Sequence, residues 1–575
     1  MRKICRVSAV LLFLLAACTT PDSQKPDAIP SENAVTQTPD MAAKPEPPSP
    51  PAPPPAAAPA QSSEALAASR ATTTREYEQK RGTRVGTAGI VAEDALYIYQ
   101  APSRERYGAL HDNPVKLVAE APVSTFSIDV DTGSYSNLRR MLNRGQFPPA
   151  DAVRVEEMIN YFPYDEALPK PGAPFAVHTA LAPSPWNADN ILLRIVLKGE
   201  DLAKEQMPSV NLVFLADVSG SMNSPDKLPL LAASLKLLAQ QLRPQDRISL
   251  VTYAGNTQVV LSATPGSDRN KIFAAIDQLS AGGSTAGASG IELAYREARS
   301  NFIPGGINRI LLATDGDFNV GITDFGQLKK MIEERRKSGV FLSTLGFGAG
   351  NYNEHLMEQL ADAGNGAYSY IDSLMEGHKV LVNEATSTLA TIARDVKIQI
   401  EFNPAAIREY RLIGYENRLL NREDFNNDKV DAGDIGAGHT VTAIYELTPA
   451  DRKGTIDALR YAVQETLKPG GKLPENELAY VKLRYKKPNT EKSELIEQVI
   501  SRQALQPLSQ ASSEFRFAVA VAGFGQLLRD NAHTGVWQYE DARKLAASAI
   551  GKDPYGYRAE FVKLVALAQT LAQGR

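Results

Sequence analysis

Asp217, Ser219 and Ser221 form a D-x-S-x-S run directly behind the apolar stretch Val210 to Ala216. Two further short motifs can join it: Gly282-Gly283-Ser284-Thr285, and Asp315-Gly316 behind the apolar run Arg309 to Thr314. Carboxylates and hydroxyls on tight turns make an all-oxygen set, which suits a hard cation. Mg²⁺ comes first, with Mn²⁺ or Ca²⁺ as alternatives. Alone, D-x-S-x-S is ordinary turn and helix-capping chemistry. Three such motifs, each beside an element of one α/β series, exceed what capping explains.

An apolar run that ends in a polar turn and leads into the helical pattern Lys227 to Leu242 reads as a buried parallel strand feeding a helix. Ligands collect outside the carboxyl ends of such strands, so these side chains stand where a site belongs. The Gly282-Gly283 turn precedes a second helical pattern, Ala288 to Phe302.

Together the motifs resemble the von Willebrand factor type A (VWA) family and its metal-ion-dependent adhesion site. The resemblance covers roughly residues 209–394 and fills all five motif positions. It implies that Ser219, Ser221 and Thr285 offer hydroxyl ligands, and that Asp217 and Asp315 bind the metal directly or through water. The fold class expected is α/β: a doubly wound, mostly parallel, Rossmann-like sheet inserted between β-rich and helical flanks. Strands are predicted near 211–216, 248–253, 309–314, 341–347 and 367–371, with an antiparallel edge strand near 258–262.

The chemistry of this set favours binding over catalysis. Two carboxylates against a doubly charged cation leave no surplus negative charge, so the metal stays electrophilic, and Mg²⁺ keeps several waters. An Asp or Glu exposed on a protein partner can displace one of them. The motif loops hold no His, Lys or Cys to act as base or nucleophile. The expected function is therefore metal-dependent protein binding and not enzymatic. The alternatives are a scaffold whose metal is satisfied within the chain, or a hydrolase using acids at the metal or at Asp131. Asp317 reads equally as an outer orienter of the site or as a solvated loop acid.

The amino end predicts an address. Arg2, Lys3 and Arg6 precede the apolar stretch Val7 to Ala17, too short to span a bilayer. Leu15-Ala16-Ala17-Cys18 resembles the lipobox of bacterial lipoproteins, which implies cleavage before Cys18, its lipidation and stable membrane attachment. Residues 1–17 are then a signal peptide. Thr19 in place of an acidic residue favours the outer membrane of the cell envelope, periplasmic face. Residues 18–74, rich in Pro and Ala, read as an extended tether spanning up to ~170 Å. Only Cys5 and Cys18 are present, so the exported chain has no disulfide to staple it. Loss of the leader takes the formal charge from −4 to −7, and no basic stripe remains, so nucleic acid is not a partner.

The flanks carry weaker signals. Residues 75–202 and 395–575 resemble the domains that precede and follow the VWA module (203–394) in a family of bacterial envelope lipoproteins. Helices are predicted over 134–144, 151–162, 513–528, 539–550 and 558–571. Alternating, strand-like segments lie at 124–130, 175–181, 191–197, 396–402, 408–415, 439–447 and 478–485. Each flank has too few strands to close a sandwich alone, so the two are expected to pair into one, with the metal loops facing away. Asp131-Thr132-Gly133-Ser134 spells an aspartic-protease signature, but that chemistry needs a second such carboxylate and the chain has no second copy. Asp424 to Asp428 starts like a calcium loop, yet Lys429 and Ile435 stand where Gly and Glu belong. Gly346-Phe347-Gly348-Ala349-Gly350 ends a late strand and reads as turn glycine.

Overall fold

The computed structural model describes residues 104–574, apart from 285–286, 317–324, 458–475, 489 and 531. The leader, Cys18, the tether, Thr285 and Asp317 lie outside the described residues.

The strands in chain order are β1 (Lys116–Leu117), β2 (Val123–Ser127), β3 (Phe175–Pro183), β4 (Ile191–Gly199), β5 (Val210–Asp217), β6 (Arg247–Tyr253), β7 (Thr257–Pro265) and β8 (Ile307–Thr314). Then come β9 (Phe341–Phe347), β10 (Tyr368–Ile371), β11 (Thr391–Phe402), β12 (Ile407–Ile413), β13 (Ile435–Gly436), β14 (Thr440–Pro449), β15 (Glu477–Lys486) and β16 (Ser493–Ser501).

β5 to β10 form the central sheet in the order β10-β9-β8-β5-β6-β7, parallel except for the β6–β7 pair. Every residue of β5 is buried. That is why its sequence is continuously apolar: helices cover both faces. Leu212, Phe214 and Ala216 pack against Leu231, Leu235 and Leu238 of helix Leu228–Gln241. On the other face, Val213 and Leu215 meet Ile291 and Ala294 of Gly287–Ser300 and Ile332 of Phe325–Arg336. In the parallel register Ala216 lies opposite Ala313 on β8, so β5 and β8 end side by side. That alignment brings Asp217 next to Thr314 and Asp315.

The flanks do pair. One sheet runs β1-β12-β14-β4-β3, in which β4, from before the module, hydrogen-bonds β14, from after it, from Ile191↔Leu447 to Thr440↔Lys198. The facing sheet runs β13-β11-β15-β16, and β2 pairs with β11. Phe126, Leu193, Ile195, Ile398, Ile400, Tyr445 and Val481 fill the space between them. The outer side of the first sheet is sealed by a helical layer, Ser513–Leu528, Tyr539–Ala547 and Tyr557–Gln573, through Phe515, Val519, Phe561 and their neighbours.

Residues at the amino ends of the module strands face this sandwich: Ile307 packs on its core, and Arg309 and Ala367 share a cavity with Ile128 and Asp434. The loops after β5 and β8, at the carboxyl ends, therefore point away from it. Helix Gly133–Asn143 nevertheless reaches the rim of the site, where Arg144 pairs with Asp226 at 3.1 Å.

The helix expected over 151–162 is interrupted. Ala150–Ala152 is a 3₁₀ turn and Val155–Asn160 a helix, with Arg154 extended between them. Arg154 gives its N–H to Ser134 Oγ at 3.0 Å and its guanidinium to Glu354 and Glu358, and these bonds replace the helical turn. β16 is not among the predicted strands. It is a sheet edge with Leu495 and Val499 facing solvent, so its sequence lacks a buried face to show.

Candidate metal centre

The turn after β5 is held by its own carboxylate. Asp217 Oδ1 accepts the Ser219 N–H at 2.9 Å, and Oδ2 accepts the Thr314 hydroxyl at 2.8 Å and the Tyr253 hydroxyl at 3.3 Å. An Asp bonded to its own backbone two residues on is a standard turn device. The turn leaves Ser219 Oγ and Ser221 Oγ 3.1 Å apart. Ser221 also hydrogen-bonds the Asp315 carboxylate. Four of the five expected positions thus come together, with both carboxylates buried beneath and Ser221 exposed at the mouth.

The Gly-Gly turn is brought in by backbone bonds. Gly220 N–H donates to Gly283 O at 3.1 Å, and Gly282 N–H to Val218 O at 2.7 Å. Gly283 has φ +84°, which a side chain would strain, and a Cβ there would come 3.0 Å from Gly255 N. The fifth position, Thr285, lies outside the described residues, two beyond this anchored glycine.

One charged group at the site escaped the sequence reading, which looked for cations only inside the motif loops. Lys227 Nζ lies 2.9 Å from Asp315 Oδ2 and 2.9 Å from Asn351 Oδ1, and Asn351 Nδ2 donates to the same Asp315 oxygen at 3.0 Å. Lys227 is buried at the N-cap of helix Leu228–Gln241. A cation there opposes the helix dipole, which favours anions at that end. That placement was the one available signal of a specific role. The glycine turn after β9 makes room for it: Gly348 has φ +74°, and a Cβ on it would sit 2.2 Å from Lys227 Cε.

The two carboxylates differ accordingly. Burial raises the Asp217 carboxyl above its ordinary range, and the hydrogen bonds from Ser219 and Thr314 offset only part of that. Burial acts the same way on Asp315, but the Lys227 ammonium and the bonds from Lys227, Asn351 and Ser221 outweigh it and hold it below the usual range. With the ammonium counted, two carboxylates and one ammonium meet at the site. This corrects the charge balance drawn from the motifs alone. The oxygen donors fit a hard cation, and a doubly charged ion would leave the site net positive.

The other marked motifs are structural. Asp131 accepts the Tyr368 N–H at 2.7 Å and pairs with Arg418 at 3.1 Å, and Gly133 lets the Tyr368 ring approach where a Cβ would come within 2.3 Å of it. Asp424 caps its own turn through Asn421, and Asp428 is bound to Arg484 and Ser493. No group of three or more His, Cys, Asp or Glu among the described residues has the arrangement of a separate metal site.

Comparison with known proteins gives the family of the chain. Residues 211–383 match the von Willebrand factor type A domain, residues 101–194 a family described as von Willebrand factor, and residues 387–571 the family described as uncharacterized protein YfbK, C-terminal. The chain is 51% identical over 475 residues to uncharacterized protein YfbK of Escherichia coli, covering 81% of each. It is 27% identical over 195 residues to uncharacterized protein sll0103 of Synechocystis, 34% of this chain and 45% of that one. A solved von Willebrand factor type A structure from Catenulispora acidiphila covers 68% of this chain and 88% of its own at 17% identity, with a TM-score of 0.37.

Proposed function

The chain belongs to the YfbK family of von Willebrand factor type A proteins, and we propose from that footing that its module binds a protein partner through a divalent cation. The observation that supports this most is the convergence of Asp217, Ser219, Ser221 and Asp315 at the carboxyl ends of β5 and β8. Ser219, Ser221 and Thr285 would supply hydroxyl oxygens to Mg²⁺, with Mn²⁺ or Ca²⁺ as alternatives. Asp217, engaged on both oxygens by protein donors, would act chiefly by orienting the turn and any bound water. Asp315 would add charge from beneath. When bound, the cation supplies an electrophilic position that an Asp or Glu on the partner can complete.

The site is better suited to binding than to catalysis. Lys227, the amine beside it, is committed as a donor to Asp315 and Asn351, so it is not placed as a base. We propose that the protein works in the cell envelope, attached through lipidated Cys18, which the leader motif supports.

The test is capture of partners from an envelope extract by the intact protein, with MgCl₂ or with chelator, beside the Asp217→Ala variant. Partners retained only by the native protein with Mg²⁺ support the reading. Equal capture in chelator would overturn it. Calorimetry should show Mg²⁺ affinity falling at least ~tenfold in Asp217→Ala. Mg²⁺ binding without any Mg²⁺-dependent capture would favour a scaffold whose metal is satisfied internally.

A further inference from the structure

A second site lies at the opposite end of the module, independent of the metal loops. Between the amino ends of β8 and β10 and the sandwich is a cavity of about 290 Å³. Its walls are polar and charged, and most of those charges are matched. Arg418 takes Asp129, Asp131 and Asp362 at 2.8–3.1 Å. Lys379 takes Glu384 at 2.8 Å, and Arg336 takes Asp431 at 2.8 Å.

Two lining groups of opposite charge are left over. Arg309, on β8, is 3% exposed, yet its guanidinium meets no carboxylate in an ion pair among the described residues. Its one side-chain hydrogen bond there is from Nη1 to Ser343 Oγ at 2.7 Å, and its buried Nε has no acceptor. Asp434, before β13, accepts the Asp395 N–H on Oδ1 at 3.2 Å, while its buried Oδ2 has no donor. His439 Nε2, on the same cavity, is likewise buried without a partner. Burying such groups without partners costs free energy comparable to several lost hydrogen bonds.

Burial disfavours the charged form of each. Burial pulls the Arg309 guanidinium down to about 10, with Asp434 the acid that works against it. Burial pushes Asp434 up to about 7 and His439 down to about 4. Arg309 and Asp434 line the same cavity and form no ion pair with each other.

We propose that this cavity binds a small zwitterion of the α-amino-acid type, its carboxylate on Arg309 and its ammonium on Asp434. A guanidinium suits a carboxylate by geometry as well as charge. One ligand bearing both charges satisfies both orphans, whereas a plain anion or cation leaves the other buried and unpaired. Ser369, Thr388 and Asn365 on the same wall offer further hydrogen bonds. The ligand sits between module and sandwich, where binding would also brace one against the other.

The experiment uses the intact protein and three probes in calorimetry: L-alanine, acetate and methylammonium. L-Alanine should bind saturably at millimolar concentration or below, with the single-charge probes at least ~tenfold weaker. Arg309→Met and Asp434→Asn should each weaken L-alanine at least ~tenfold, while Asp217→Ala leaves it unchanged. Asp434→Asn is nearly isosteric and keeps the test valid should Arg309→Met fold poorly. Absence of saturable L-alanine binding, equal affinity for acetate, unchanged binding in Asp434→Asn, or loss in Asp217→Ala would each overturn the proposal. Because Asp217→Ala removes the metal reading and not this one, the two fail separately.

Discussion

Replacing Lys227 by Met should make the fold depend on the cation. Methionine keeps the length of the side chain beneath Gly348 but removes the ammonium 2.9 Å from Asp315 Oδ2. Removing one partner of a buried ion pair costs ~3–5 kcal/mol, because the other charge is stranded. Asp315 retains hydrogen bonds from Asn351 and Ser221, which places the cost at the lower end, ~3 kcal/mol. At ~2–4 °C per kcal/mol for a unit of the module's size, the module's own melting transition in chelator should fall by ~6–12 °C. A divalent ion restores the missing positive charge, so MgCl₂ should raise the variant's melting temperature by more than it raises that of the native protein. The assay is calorimetric melting of both proteins in chelator and in MgCl₂. Equal melting temperatures in chelator, or equal Mg²⁺ increments, would refute the assignment of Lys227 as a fixed counter-charge.

Other expectations follow from single positions. Gly348→Ala places a Cβ 2.2 Å from Lys227 Cε at φ +74° and should cost ~2 kcal/mol in urea unfolding; a neutral result would mean the turn does not hold the lysine. Glu156 is buried with neither carboxylate oxygen bonded, and burial, then Glu416 and Asp129, push it up to about 8 from 4.5. The folded state then holds a proton that the unfolded state has lost, so stability is greatest below 4.5 and declines as pH rises towards 8. Glu156→Gln should flatten that decline and be more stable than the native protein at pH 8 by ~2 kcal/mol, read from urea midpoints at pH 5 and 8. A fragment beginning at Thr391 lacks β4 and exposes the β14 edge, so limited proteolysis should yield no stable monomeric piece of that extent.

The module was legible because its strands are buried on both faces. Continuous runs such as Val210 to Ala216 and Phe341 to Phe347 cannot be mistaken for half-exposed elements, and the observed strands agree with those predicted to within a few residues. Four of the expected site residues were legible for a related reason: Asp217, Ser219, Ser221 and Asp315 stand at or just beyond the end of such a run. What stayed hidden depends on contacts between distant parts of the chain. Lys227 reaches Asp315 across 88 residues, and Arg418 gathers acids from positions 129, 131 and 362. No periodicity encodes that. The orphaned charges Arg309 and Asp434 were invisible too, since in sequence they are an ordinary strand residue and an ordinary loop acid.

The flanks also reach the candidate metal site. The extended segment after Arg104 lies beside the glycine turn, with Arg104 N–H on Gly350 O at 2.7 Å and Arg106 N–H on Tyr352 O at 2.8 Å. Glu105 accepts the Gly350 N–H at 2.8 Å and is gripped on both oxygens by Arg140 of helix Gly133–Asn143, at 3.0 and 2.9 Å. The next residue, Asn351, binds Asp315 and Lys227 together. Hydrogen bonds, joined by the Gly350–Asn351 peptide link, therefore run from a flank helix to the carboxylate under the site. A module cut at 210–383 keeps the strands that align Asp217 with Asp315 but loses the clamp on Asn351. With that clamp gone, Asn351 still bonds Lys227 and Asp315, but nothing from the flank holds it in place. The charge arrangement at the candidate site is thus a property of residues 104–144 as much as of the motif loops.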